Sequence, residues 1–187
     1  EGNPSYITGI IYDIDELKSD ALSMKRQAQQ DALTKLLNKA SAQQAVEQLL
    51  AKRESRALCA LLILDLDNFK IVNDTHGHMY GDAVLTQMGS TLRSLFRSRD
   101  VIGRIGGDEF LVFLDNIPSR EMVLERCQLV VETFRSQFHA LMPDLPISVS
   151  VGGAIAPTDG TTYSDLFRHA DEAQYSAKRK GKNQFSL

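Results

Sequence analysis

Apolar residues repeat along this 187-residue chain with two spacings, and each spacing predicts a different secondary-structure element. Leu85, Met88 and Leu92 recur every three or four positions, which is typical of a helix with one buried face. Residues 61–64 form the unbroken apolar run Leu-Leu-Ile-Leu, which is typical of a strand buried on both faces. The same reasoning predicts helices over residues 16–32, 40–52, 81–96, 119–140 and 163–180, and strands over residues 6–14, 57–64, 101–105, 110–114, 147–155 and 183–187.

The order of these elements predicts an α+β fold. Strands and helices alternate, but the strands over residues 101–105 and 110–114 are joined by a tight turn around a Gly-Gly pair, and such a hairpin is antiparallel. We therefore expect one mixed central β-sheet flanked by helices, formed by residues 32–187. Residues 16–31 are predicted to be a linker helix with a narrow apolar seam, suited to pairing with a copy of itself.

Composition and charge limit the possible classes of function. With 43% hydrophobic and 24% charged residues, the chain can bury a core as one compact domain, which excludes a disordered or collagen-like chain. Cys59 and Cys127 lie in apolar surroundings, which indicates reduced, buried thiols and excludes a disulfide framework. The formal charge of −3 gives no general attraction to DNA or RNA, so a phosphate ligand must be held by local basic groups, backbone amides or a metal ion.

The chain lacks the signals of a membrane or secreted protein. No apolar run approaches the roughly 20 residues that span a bilayer, and there is no leader sequence. We therefore expect a soluble, cytoplasmic domain, although the full-length protein could be attached to a membrane. The chain starts at Glu1 rather than at methionine, which indicates a fragment of a longer protein.

Acidic residues stand where two strands of the predicted sheet meet a loop. Asp65 and Asp67 follow the buried apolar run, and Asp108 and Glu109 follow two glycines in the hairpin turn. A lone Asp commonly caps a turn, but consecutive acids at one turn repel each other and add little stability. If the hairpin lies beside the buried strand, three of these acids gather in one cluster. Such a cluster suits Mg²⁺, which takes one or two carboxylates together with substrate phosphates and is typical of enzymes that transfer phosphoryl or nucleotidyl groups.

Polar and basic residues near this cluster are candidate nucleotide contacts. Lys70 and the backbone amides after Asp67 could donate to phosphates. The basic end of the last helix, residues 178–182, could do the same, although basic residues also complement the dipole of a helix C-terminus. Polar side chains that could read a base edge follow the buried strand: Asn73, Asp74, His76, His78 and Asp82. Alternatively, Asn73 and Asp74 would form a turn, and Asp82 would stand at the N-terminus of the next helix.

Four segments resemble the GGDEF domains, the diguanylate cyclases. Residues 106–110, Gly-Gly-Asp-Glu-Phe, match the motif that names the family. Residues 31–39 resemble its opening segment, and residues 175–183 its closing segment. Residues 65–82 resemble its Asp-x-Asp-x-Phe-Lys-x-x-Asn-Asp and Gly-His-x-x-Gly-Asp stretch. The segments occur in the family's order and spacing.

The resemblance implies a palm-like nucleotide cyclase domain that condenses two GTP into cyclic di-GMP and two pyrophosphates. It implies the catalytic residues Asp65, Asp108 and Glu109, which would hold Mg²⁺ or Mn²⁺ together with the backbone carbonyl of Leu66. Either Asp108 or Glu109 would help to activate the 3′-hydroxyl. The implied substrate contacts are Asn68, Phe69, Lys70, Asn73, His78, Asp82, Lys178 and Lys182. Each domain would bind one GTP, so catalysis would need a homodimer with facing sites.

A product site is also implied. Arg97 and Asp100 resemble the family's inhibitory Arg-x-x-Asp site for cyclic di-GMP, whereas the residues alone would indicate a solvated charge run. The chain departs from the family pattern at four positions: Lys35 in place of the usual Gly, Lys39 and Lys182 in place of Arg, and Gln128 near the position where some members supply a further arginine. Lysine at position 182 keeps the charge but loses bidentate geometry.

The N-terminal residues resemble parts of a sensor. Residues 1–15 resemble the last strand of a PAS domain, and residues 16–31 the helix that joins such a sensor to a cyclase domain over residues 32–187. The sequence favours an active cyclase regulated by that upstream domain. Two alternatives are a catalytically silent module that binds GTP or cyclic di-GMP, and a structural dimerisation fragment, which would leave the acidic cluster without a role.

Overall fold

A computed structural model describes Met24 and residues 27–54, 57–141, 143–144 and 147–187 of the chain. The predicted strand over residues 6–14 and most of the linker helix lie outside the described residues. Within the described part, the strands are β1 (Leu37–Asn38), β2 (Leu58–Asp67), β3 (Val101–Arg104), β4 (Glu109–Ile117), β5 (Ser148–Ala156) and β6 (Phe185–Ser186). The helices are α1 (Lys39–Lys52), α2 (Phe69–His76), α3 (His78–Leu95), α4 (Arg120–Leu141) and α5 (Tyr163–Arg179).

The strands form one mixed sheet in the order β1-β3-β4-β2-β5-β6. The central strand β2 pairs antiparallel with β4 and with β5, and β3 and β4 form the predicted antiparallel hairpin. The pairs β1 with β3 and β5 with β6 are parallel. The expected α+β fold with a mixed central sheet is therefore confirmed.

Helices cover both faces of the sheet because β2 buries both of its faces. Leu62, Leu64 and Leu66 pack with the apolar residues of α3 and α4, whereas Leu61 and Ile63 pack with those of α1 and α5. This alternation is the two-residue period of a strand. The next residues on the α1 and α5 side of β2 are the acids at positions 65 and 67.

Both cysteines are free and buried, as predicted. Burial raises the pKa of the Cys127 thiol to about 12. No helix in the described ranges combines the length and apolar character needed to cross a membrane.

The segment after β2 differs from the sequence-based expectation. The turn interpretation of Asn73 and Asp74 is wrong because both lie within α2. Asp82 lies in the second turn of α3 rather than at its N-terminus, where Gly77 stands with a φ of 83°. Helix α2 was missed because it has eight residues and only Val72 is fully buried, which is too short for a helical period to show.

Helix α5 lies against β5 with almost no space between their main chains. A Cβ atom on Gly152 would overlap the carbonyl oxygen of Ala170 and the backbone nitrogen of Gln174. Only glycine fits at this crossing without moving backbone atoms. The close contact fixes the height of α5 above the sheet, and α5 carries Lys178 toward the end of β2.

Candidate active site

The pairing of β2 with β4 brings the predicted acids to one end of the sheet. Asp65 stands directly opposite Glu109 in the antiparallel register. The backbone N–H of Leu66 donates to the carbonyl oxygen of Asp108 at 3.3 Å. Residues that are more than 40 positions apart in sequence thus meet at the Gly-Gly turn. The expectation that this hairpin lies beside the buried strand is confirmed.

Asp65 is buried and paired with a lysine. Its side chain is 8% exposed, and the Nζ of Lys178 lies 2.6 Å from its Oδ1. Burial raises the pKa of Asp65 to about 6; the contact with Lys178 opposes that rise, while the charges of Asp108 and Glu109 add to it. Burial and like charge disfavour the ionised carboxylate, and a further cation beside it would lower the pKa again.

The raised pKa of Asp65 predicts how the stability of the metal-free protein depends on pH. The pKa of Asp65 is about 6 in the folded protein and 3.8 for an ordinary Asp. Between these two pH values the folded state therefore binds more protons than the unfolded chain. The stability that Asp65 contributes therefore falls as the pH rises through this window. Thermal unfolding of the wild type and Asp65→Asn between about pH 4 and pH 7 measures the effect, and the wild type should lose stability relative to the variant. A difference that stays constant over this range would contradict the prediction.

The carboxylates of Asp65, Asp108 and Glu109 are not arranged as a preformed metal site. Among the described residues, no three His, Cys, Asp or Glu side chains gather closely enough to hold a metal ion. The carboxylate of Glu109 lies over the turn, with Oε2 2.5 Å from the place where a Cβ on Gly106 would stand. The donor set nevertheless fits Mg²⁺ or Mn²⁺, because it consists of hard oxygen atoms and the buried Asp65 already attracts one cation, the ammonium of Lys178.

Asp67 has a different role from Asp65, although it lies on the same face. It is 1% exposed, and its carboxylate accepts hydrogen bonds from the hydroxyls of Ser148 at 2.6 Å and Ser150 at 2.8 Å. It also accepts from the backbone N–H of Asn183 at 3.1 Å. Asp67 therefore joins β2, β5 and the turn after α5. Its partners are more than 80 positions away, so no local signal could reveal this role.

The turn after α5 places Lys182 near the end of β2. Lys182 and Asn183 both have left-handed backbone conformations, with φ values of 62° and 50°. The Nζ of Lys182 donates to Oδ1 of Asn68 at 2.6 Å. Lys178 and Lys182 thus stand beside Asp65 and Asn68.

The predicted base-reading residues surround the junction of α2 and α3. The Oδ1 of Asn73 lies so close to Gly81 that a Cβ there would overlap it, and the ring of Phe69 lies at 3.1 Å from the same point. His78 and Asp82 are exposed on the first turns of α3. Lys70 is exposed on α2. The structure therefore places Asn73, His78 and Asp82 on one helix pair beside β2.

The predicted product-site residues lie at the far end of α3. Arg97 is exposed, and its backbone N–H donates to Oδ2 of Asp100 at 2.9 Å. Gln128 is exposed on α4 and donates to Glu132 at 2.5 Å. The hydrogen bond from Arg97 keeps Arg97 and Asp100 adjacent, whereas Gln128 contacts neither of them in the hydrogen bond it forms.

Sequence reasoning missed the role of Arg104. Its guanidinium donates to the backbone carbonyl of Gly107 at 2.7 and 3.1 Å, and forms an ion pair with Asp31 at 3.2 Å. Asp31 also accepts from the hydroxyl and backbone N–H of Thr34, and these hydrogen bonds with the Arg104 contact hold the pKa of Asp31 below its usual value despite its burial. One side chain thus connects the segment that enters the domain to the Gly-Gly turn.

The fold and the acidic turn define a GGDEF domain. The sequence profile described as "Diguanylate cyclase, GGDEF domain" matches residues 28–184, and the chain belongs to this family. The chain is 37% identical over 166 residues to diguanylate cyclase DgcS of Shewanella oneidensis, and this alignment covers 88% of the chain and 54% of DgcS. It is 32% identical over 175 residues to cyclic di-GMP phosphodiesterase PdeR of Escherichia coli, and this alignment covers 94% of the chain and 26% of PdeR.

Solved structures confirm the palm-like cyclase fold. The coiled coil and GGDEF domain of DgcB from Caulobacter crescentus, in complex with c-di-GMP, superposes with a TM-score of 0.80 at 26% identity, covering 92% of both chains. The GGDEF domain of PA1120 from Pseudomonas aeruginosa gives a TM-score of 0.77 at 31% identity, covering 84% of this chain and 93% of that one. The chain spans about half of DgcS and about a quarter of PdeR.

Proposed function

We propose that this domain is an active diguanylate cyclase that condenses two GTP molecules into cyclic di-GMP with release of two pyrophosphates. The observation that supports the proposal is the meeting of Asp65, the Asp108–Glu109 turn and Lys178 at one end of the sheet. In each half-reaction the 3′-hydroxyl oxygen of one GTP attacks the α-phosphorus of the other. A phosphorus–oxygen bond forms, the bond to pyrophosphate breaks, and the hydroxyl proton leaves to a base.

Mg²⁺ or Mn²⁺ would be held by Asp65, Asp108, Glu109 and the carbonyl of Leu66. When bound, it would supply charge neutralisation at the reacting phosphate. The chain's own contribution is orientation. Asp108 or Glu109, at the hairpin turn, would take the proton of the 3′-hydroxyl.

The remaining contacts divide between phosphate and base. Lys70, Lys178 and Lys182 would bind the triphosphate, with the amides of Asn68 and Phe69. Lys178 would exchange part of its contact with Asp65 for the phosphate, because an ammonium has three donors. Asn73, His78 and Asp82 would bind guanine at the junction of α2 and α3.

Two domains must cooperate, because the two phosphodiester bonds join two nucleotides and each domain would hold one. The active form is therefore proposed to be a homodimer with facing sites. Residues 16–31 would hold the copies together, and residues 1–15 would be the end of an upstream PAS-like sensor in a cytoplasmic signalling protein. Arg97 and Asp100 would bind cyclic di-GMP and inhibit the enzyme.

The alternative is a silent domain that binds GTP or cyclic di-GMP without turnover. The similarity to PdeR, whose name is that of a phosphodiesterase, favours keeping this alternative. The presence of both turn acids beside Asp65 favours the cyclase.

A product assay separates the two functions. The purified 187-residue protein is incubated with GTP and Mg²⁺, and the mixture is separated to measure cyclic di-GMP and pyrophosphate. We expect two pyrophosphates for each cyclic dinucleotide, and loss of both products when the metal is chelated. GTP binding without either product, measured with a protein shown to be dimeric, would favour the silent module.

A further inference from the structure

A cavity of about 420 Å³ lies beside Arg97, between the segment that enters the domain and the end of α3. Leu36 and Phe96 form buried apolar walls, being 3% and 8% exposed. The charged residues that line the cavity are Lys35, Arg93, Arg97 and Asp100. Apolar walls with a few charged groups are typical of sites for small organic ligands.

Positive charge exceeds negative charge in this cavity. The only acid among the described lining residues is Asp100, and one of its oxygens already accepts from the backbone of Arg97. Arg93 donates from Nη2 to the carbonyl oxygen of Thr34 at 2.7 Å, which fixes its guanidinium at the cavity wall. The side chains of Lys35 and Arg97 form no ion pair within the described part of the chain. A cavity with this excess, in a chain of net charge −3, attracts an anion.

The backbone of Lys35 forms a tight turn at the edge of this cavity. Lys35 has a φ of 58°, and its N–H donates to the carbonyl oxygen of Asp31 at 2.9 Å. The tight turn formed in this way places Lys35 among the cavity-lining residues. A left-handed conformation is unfavourable for lysine and not for glycine, so the position itself does not require a side chain.

We propose that Lys35 and Arg93 extend the product site, with Lys35 contacting a phosphodiester of cyclic di-GMP whose other contacts are Arg97 and Asp100. This inference rests on the proposed function, because it takes the anion to be the reaction product. The apolar walls suit a guanine ring, and the three cations suit phosphodiesters that keep their negative charge at neutral pH. Since Gln30 lines the same cavity, a ligand here contacts both α3 and the segment that enters the domain.

The test uses variants that keep the turn. Lys35→Gly removes the charge and tolerates the left-handed backbone, and Lys35→Arg keeps the charge. Arg97→Ala tests the product site itself. Lys52→Ala is the matched control, because Lys52 is an exposed lysine at the other end of α1. Unfolding midpoints are measured for all variants.

Isothermal titration with cyclic di-GMP gives the dissociation constants. We expect Lys35→Gly to weaken binding about fivefold, in the range of one partly exposed charge contact, with Lys35→Arg and Lys52→Ala within about twofold of the wild type. Initial rates measured before product accumulates should give the same KM for GTP in Lys35→Gly and the wild type, because Lys35 is not among the proposed GTP contacts.

The outcomes separate this inference from the proposed function. If the wild type binds no cyclic di-GMP, or Arg97→Ala binds as tightly as the wild type, the product site and its extension both fail. If Arg97→Ala weakens binding and Lys35→Gly does not, the product site stands and the role of Lys35 is overturned. An equal loss in Lys35→Gly and Lys52→Ala would reduce the effect to net charge and would also overturn it.

Discussion

Asp108→Ala is expected to reduce cyclic di-GMP formation by about a thousandfold or more, the size of effect that follows when a group stabilising the transition-state charge is removed. Asp108 is half-buried directly after the Gly-Gly pair, and its carbonyl, not its carboxylate, accepts the N–H of Leu66. Alanine keeps that backbone hydrogen bond. The fold should therefore survive while turnover is lost.

The matched control is Asp171→Ala, because Asp171 is an exposed acid on α5 away from the turn. Rates of pyrophosphate release at saturating GTP and Mg²⁺ measure the effect, and circular dichroism with thermal unfolding checks the fold. Substantial remaining activity in Asp108→Ala, with a normal unfolding midpoint, would remove Asp108 from the metal site.

Gly152→Ala should destabilise the protein by about 3 kcal/mol or more, at the upper end of the cost of overpacking a core. The added Cβ would overlap backbone atoms of Ala170 and Gln174, which cannot rotate away as side chains do. The strain can be relieved only by lifting α5 from the sheet. That movement would also draw Lys178 away from Asp65, so kcat should fall in the fraction that remains folded.

Gly107→Ala is the stability control for this prediction. No atom lies within 4 Å of the place where a Cβ on Gly107 would stand, so the same substitution should change stability by less than about 0.5 kcal/mol. Urea unfolding of both variants gives the comparison. Similar midpoints for Gly152→Ala and the wild type would mean that α5 and β5 are not in close main-chain contact.

Long periodic elements could be predicted from the sequence, whereas short ones could not. The apolar run at residues 61–64 identified the central strand, and the Gly-Gly pair identified the hairpin, because both signals are local. Strand β1 has two residues, and its parallel partner β3 begins more than 60 positions later, so neither length nor spacing reveals it.

The candidate site shows the same limit. The acids at 65, 108 and 109 were predictable because the strand and hairpin signals placed them near the ends of two strands, although β2 continues through Asp67 rather than ending at residue 64. The basic end of α5 had two interpretations, a dipole complement or a phosphate contact, and only the 2.6 Å approach of Lys178 to Asp65 relates it to the acids. In the sequence Asp67 could not be distinguished from Asp65. In the structure its carboxylate accepts hydrogen bonds from two serine hydroxyls and one backbone N–H.

The position of Arg104 limits how independently two parts of the domain can move. Its side chain is 15% exposed, and its guanidinium contacts both Asp31, where the chain enters, and the carbonyl of Gly107. Hydrogen bonds tolerate displacements of only a few tenths of an ångström before they weaken. A larger displacement of the entering chain would break the contacts of Arg104. The turn that carries Asp108 would then lose the hydrogen bonds that Arg104 donates to it.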